Sequence, residues 1–101
     1  MQTITVEELK ARLDIGETPL IIDVREPYEF EEFNIKGRLI PLGTIQTALP
    51  DLEDHADEEI IVHCRSGARS AAASDFLSKQ GFKNVKNLVG GMIAWQAMLE
   101  K

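Results

Sequence analysis

The stretch IIVHCRSGARSAAASDFL, Ile60 to Leu77, holds the chain's one cysteine. Cys64 stands directly after four residues that read as a buried strand and shortly before a helix. Arg65 and Arg69 fall within the next five positions, with Gly67 between them. A glycine-containing loop from strand to helix can turn its backbone N–H groups inward, and the helix start adds unpaired N–H groups and a positive dipole end. Together these form an anion cradle. A thiol at its mouth ionises more easily, two arginines push the same way, and the thiolate is the nucleophilic form. A lone cysteine can also be an inert core residue. Apolar packing, however, gives no reason for two arginines and a glycine in the next five residues.

The other candidates carry weaker chemistry. His63 adjoins Cys64, but neighbours on a strand point to opposite faces, so a direct pair is not expected and a structural histidine is. His55 lies in the acidic stretch DLEDHADEE, and His55, His63 and Cys64 lack zinc-site spacing, so no metal is expected. Asp23 ends another strand-like run. It reads either as a strand-end cap or as a partner of Arg69 or the loop amides. Arg25 is expected to pair with Glu26, Glu29 or another acid as scaffold. Trp95 reads as core. Asp51 to Glu59 reads as a solvated connection, or as a docking face for a basic partner.

The elements that position these residues follow from pattern. Thr5 and Glu8 fit a capping box, with Val6, Leu9 and Leu13 on one helix face and Gly16 as its stop. Leu20 to Val24 reads as a buried strand ended by Arg25-Glu26-Pro27, and Pro27 suits the first position of a short helix. RLIPL is a short extended piece, since Pro41 opposes a long central strand. Residues 44 to 56 read as a short helix or turn and then an acidic loop. Ile60 to His63 is the second strand, Ser70 to Gln80 a helix stopped by Gly81, and NVKNL a third strand candidate. Gly90-Gly91 turns the chain into a last helix carrying Met92, Trp95 and Leu99. Strands that alternate with helices and are continuously apolar predict an α/β domain with a mostly parallel sheet covered on both faces. Ligands in such sheets bind beyond the carboxyl ends of the strands, where Cys64 and Asp23 to Arg25 stand.

Composition sets bounds. The chain has 101 residues, 44% hydrophobic and 28% charged, which predicts one soluble domain over residues 1–101. One cysteine makes no internal disulfide, MQTITVEELKARL shows no basic-then-apolar leader, and no apolar run reaches the length of a membrane helix. Cytoplasm, no membrane and a monomer are the expectations. A net charge of −6 argues against nucleic-acid binding and requires any anion site to be built locally.

Three stretches carry a resemblance. IIDVREPYEF, IIVHCRSGARS and NLVGGMIAW resemble, in order, the first signature, the active-site loop and the closing turn of the rhodanese family. They span most of residues 20 to 95. The resemblance implies a rhodanese-like α/β fold with a mostly parallel sheet of about five short strands flanked by helices. It also implies a sulfurtransferase in which Cys64 carries sulfane sulfur as a persulfide, cradled by Arg65, Ser66, Gly67, Ala68 and Arg69. No cofactor is implied. The expected partners are a small anionic donor such as thiosulfate and a thiol, protein or cyanide acceptor. One segment departs from the family pattern: FNIKGRLIPL stands where members often have Gly-His-Ile-Pro-Gly-Ala. That leaves the local turn and strand register open, with Asn34 and Gly37 as turn formers and Lys36 and Arg38 facing solvent. A sulfur-carrier or binding module, and a phosphatase or arsenate reductase on the same fold, are the alternatives. The loop from Cys64 to Arg69 is one residue shorter than that of cysteine phosphatases.

Overall fold

The computed structural model describes residues 2–101. Five strands, β1 (Gln2–Ile4), β2 (Leu20–Asp23), β3 (Arg38–Leu39), β4 (Glu59–His63) and β5 (Asn84–Leu88), form one sheet in the order β1-β5-β4-β2-β3. Every pairing is parallel. The helices are α1 (Val6–Asp14), α2 (Pro27–Glu32), α3 (Leu49–Leu52), α4 (Ala68–Lys79) and α5 (Gly91–Leu99). Parallel strands need crossovers, and the helices supply them while covering both faces. The expected α/β architecture of about five short parallel strands is therefore the observed one.

Alternation along the strands divides the core in two. Ile22, Ile60, Val62 and Val85 pack with Ala73 and Leu77 of α4. Ile21, Ile61 and Leu88 pack with Leu9 of α1 and Met92 and Trp95 of α5. The capping box is present: the Thr5 hydroxyl accepts from the Glu8 N–H and the Glu8 carboxylate from the Thr5 N–H, both at 3.1 Å. Trp95 is buried core, as its place in the sequence predicted.

Three local differences from the sequence expectation have clear causes. β1 is three residues long and shows no period of its own; its edge pairing with β5 makes it a strand. α4 begins at Ala68 rather than Ser70, because Gly67 takes φ +114° and ends the loop early. In FNIKGRLIPL, Lys36 rather than Gly37 takes the left-handed conformation, at φ +65°. Asn34 supports it by accepting from the Lys36 N–H at 2.8 Å and donating to the Phe30 carbonyl at 2.9 Å. Gly37 is needed for space instead: a Cβ there would lie 2.9 Å from the Ile21 side chain. Lys36 and Arg38 are exposed, as expected. No described helix is long and apolar enough to cross a membrane.

Candidate active site

β4 lies at the centre of the sheet, and its carboxyl end delivers Cys64 beside the end of β2. Cys64 itself is 1% exposed, on the α4 side of the sheet. Its sulfur is met by the Gly67 N–H at 3.1 Å, the Ser70 N–H at 3.3 Å and the Ser70 hydroxyl at 3.3 Å. The early helix start explains this geometry. Ser70 is the third residue of α4, and its N–H, which has no partner inside the helix, turns back onto the sulfur. Burial pushes the Cys64 thiol up, but the Ser70 hydroxyl and the N–H groups of Ser70, Gly67 and Ser66 outweigh it. The net shift is downward from an ordinary cysteine. Of the expected cradle Arg65 to Arg69, the Gly67 N–H is brought to the sulfur; the other two donors come from Ser70, outside that range, and Ala68 and Arg69 lie in the first helical turn.

The two arginines differ. Arg65 is exposed and has no ion pair among the described residues. It lines a cleft of about 460 Å³ with Tyr28 and Glu29 of α2 and Met92 and Ile93 of α5. Arg69 forms a two-pronged pair with Glu29, at 2.7 and 2.9 Å. That guanidinium holds the Glu29 carboxyl down to about 2 against the opposing effect of burial. Arg69 in turn is held more firmly charged, chiefly by its hydrogen bonds to Glu29.

Asp23 does not meet Arg69 or the loop amides. Its carboxylate is taken by Arg25, which donates from Nε to Oδ1 at 3.0 Å, from Nη2 to Oδ2 at 2.8 Å and from its backbone N–H to Oδ1 at 3.0 Å. The physical reason is local: β2 ends at Asp23, and its carboxylate caps the bend that follows by accepting from the N–H and guanidinium of Arg25 two residues on. Arg25 also donates to the Phe33 carbonyl at 2.7 Å, at the end of α2. The Asp23–Arg25 pair is thereby tied to the end of the helix that carries Glu29. His63 is fully buried beside this pair, with its Nε2 3.7 Å from Asp23 and both ring nitrogens without a hydrogen bond. Desolvation lowers its pKa to about 4. It is a neutral structural residue and does not face Cys64.

Two residues within NLVGGMIAW have a role at the cysteine that was not read from the sequence. Asn87 of β5 accepts from the Ser70 hydroxyl at 2.5 Å and donates to the Gly67 carbonyl at 3.3 Å. A polar residue within NVKNL reads as an ordinary outward strand position, so the pattern gave no signal. Gly91 sits at φ +54°, and a Cβ there would lie 2.4 Å from the Cys64 carbonyl oxygen and 2.7 Å from that of Arg65. The N–H groups of Met92 and Ile93 bond those same two carbonyls, each at 3.0 Å. The start of α5 thus holds the outer side of the loop, and the Gly-Gly pair was the available signal.

Comparisons with known proteins bear on the fold and the family. The family model described as the Rhodanese-like domain matches residues 5–98. A sulfurtransferase of Allochromatium vinosum is 38% identical over 88% of this chain and 82% of its own length. YrkF of Bacillus subtilis, a proposed sulfur carrier protein, is 40% identical over 96% of this chain. The chain spans about half the length of YrkF and a quarter of that of the next relatives it matches. Among solved structures, the rhodanese-like domain protein of Staphylococcus aureus superposes with a TM-score of 0.85 at 33% identity, covering 94% of this chain and 91% of its own.

Proposed function

The chain belongs to the rhodanese-like domain family, and from that premise we propose that it is a sulfurtransferase working through a persulfide on Cys64. The thiolate attacks the outer sulfur of a donor such as thiosulfate. The bond between the two donor sulfurs breaks, sulfite leaves with the electron pair, and the transferred sulfur stays on Cys64. A thiophilic acceptor, a thiol in a cell or cyanide in an assay, then attacks the outer sulfur and the Cys64 thiolate is restored. The observation that carries this reading is the convergence of the Gly67 N–H, Ser70 N–H and Ser70 hydroxyl on one sulfur. The Gly67 and Ser70 N–H groups are fixed by the backbone before any charge develops, so they stabilise thiolate and persulfide with little reorganisation. Arg65, which lines the cleft and has no ion pair among the described residues, draws in the anionic donor. The backbone from Arg65 to Arg69 cradles the charge, Asp23 braces the cradle through Arg25 and α2, and no cofactor enters the scheme. We place this chemistry in the cytoplasm, in one domain over residues 1–101.

A second reading, a sulfur carrier that docks on a partner, is favoured by the likeness to YrkF and by the burial of Cys64. Phosphate chemistry is disfavoured by the loop, which is a residue short, and by Arg69. A phosphoryl group needs a guanidinium free to clamp two oxygens, and both prongs of Arg69 are already on Glu29. The test is turnover by one preparation on thiosulfate with cyanide and on p-nitrophenyl phosphate. The expected result is Cys64-dependent thiocyanate formation with negligible phosphate release. Persulfide formation with negligible turnover would favour the carrier, and phosphatase turnover without sulfur transfer would overturn the assignment.

A further inference from the structure

We propose that Asn87 is a positioning residue that holds the Ser70 hydroxyl proton while Cys64 is a thiol and yields it to the sulfur when that atom becomes negative. The inference rests on Cys64 as the residue that ionises in the reaction above, and adds the device that adapts its surroundings to each state.

Asn87 lies on β5 opposite Val62 of β4, 8% exposed, on the face covered by α4. The Gly67 carbonyl, which can only accept, takes the Nδ2–H at 3.3 Å and so turns Oδ1 toward Ser70. The Ser70 oxygen then has three neighbours: Asn87 Oδ1 at 2.5 Å, the Gly67 carbonyl at 3.2 Å and Cys64 Sγ at 3.3 Å. A hydroxyl carries one proton and two lone pairs. The nearest acceptor, Asn87, takes the proton, and the lone pairs are left facing the sulfur. That arrangement suits a thiol, whose S–H donates to Ser70.

It does not suit a thiolate. When the S–H bond breaks and its proton leaves to solvent, sulfur becomes an acceptor facing lone pairs. Ser70 keeps its own proton and rotates it from Asn87 to sulfur, so S–H is the one covalent bond broken. The Gly67 and Ser70 N–H groups are fixed by the backbone and point at the sulfur in both states. The hydroxyl is thus the one contact, among the described residues, that can reverse direction. The charged and titratable groups around the sulfur are Arg65 on the loop, Arg69 on α4 with its Glu29 from α2, and His63, Asp23 and Arg25 across the sheet. Among the described residues, none of these is hydrogen-bonded to the Ser70 or Asn87 side chain.

The experiment is the pH profile of iodoacetamide alkylation for the wild type, Ser70→Ala, Asn87→Leu and the double variant. Ser70→Ala is expected to raise the midpoint, because the thiolate loses a donor. Asn87→Leu is expected to lower it, because the competitor for that donor is gone; each change amounts to roughly threefold in thiolate at neutral pH, the scale of one net hydrogen bond. In the Ser70→Ala background, Asn87→Leu should have no further effect. An upward shift from Asn87→Leu alone, or a shift that survives without the Ser70 hydroxyl, overturns the proposal. Should the leucine variant fail to fold, the Asn87 side-chain carbonyl carbon is followed by NMR in the wild type. It should titrate with the Cys64 midpoint and stay flat in Ser70→Ala; a flat resonance in the wild type overturns the proposal. Neither measurement uses a sulfur donor, so failure here is distinguishable from failure of the sulfurtransferase reading.

Discussion

Arg69 and Glu29 meet end to end, both prongs of the guanidinium on both carboxylate oxygens at 2.7 and 2.9 Å. The pair ties the first turn of α4 to α2, so one of the two arginines beside Cys64 is a structural clamp, while the other has no ion pair among the described residues.

The two arginines should therefore fail differently. Arg65→Ala should lower kcat/KM for thiosulfate roughly tenfold, the scale of one charge-assisted contact, and leave the melting temperature nearly unchanged. Arg69→Ala should lower both, since it leaves the mostly buried Glu29 carboxylate without its partner. Arg69 is 35% exposed, so solvent screening reduces the stability cost to about 1–2 kcal/mol. Steady-state kinetics beside thermal melts check this. Equal stability losses for the two variants would contradict the division of roles.

Gly91→Ala should damage the site from outside it. The new Cβ would strike the Cys64 and Arg65 carbonyls, and a non-glycine residue at that backbone conformation costs about 1–3 kcal/mol. The expected result is a lowered melting temperature together with slower Cys64 alkylation at neutral pH, because the loop that aims the amides is displaced. Wild-type alkylation in this variant would mean that α5 does not hold the loop.

His63 predicts the acid side of the stability curve. Its pKa falls to about 4, chiefly through desolvation, whereas an unfolded histidine titrates near 6.5. Between those values the unfolded chain binds the proton and the folded one does not, so stability falls as pH drops from about 6.5 to about 4. The window is worth up to about 3 kcal/mol. Glu29 and Glu59, both held down to about 2 by arginine partners, act lower, losing their contribution as pH falls from about 4.5 toward 2. Urea unfolding at a series of pH values, with His63→Leu for comparison, should show the slope between pH 6.5 and 4 flattened in the variant. An unchanged slope would assign it to other groups.

Much of this site was legible because it rests on local pattern. The run from Ile60 to His63, the lone thiol after it, and Gly67 before a helical period give strand, cradle and helix in order. The capping box at Thr5 and Glu8 and the strand at Leu20 are equally local. Pairings between distant segments were less legible. Asp23 reads in the sequence either as a strand-end cap or as a partner of Arg69 or the loop amides, and the first holds: it ends β2 and accepts from the N–H and guanidinium of Arg25. Glu29 was considered for Arg25 and belongs to Arg69, which only the seating of α2 against α4 decides. Asn87 and β1 depend on neighbours in the sheet, and no pattern within their own segments announces them.

In the proposed reaction Cys64 itself receives the transferred sulfur, and the intact mass of the protein after mixing with thiosulfate reads that transfer. The described residues hold one free cysteine and the sequence no other, so the reading has one place for the adduct. The expected result is a gain of one sulfur atom, reversed by cyanide or reductant and absent in Cys64→Ser. An unmodified wild-type mass at saturating thiosulfate, or an adduct and turnover that persist in Cys64→Ser, would contradict it.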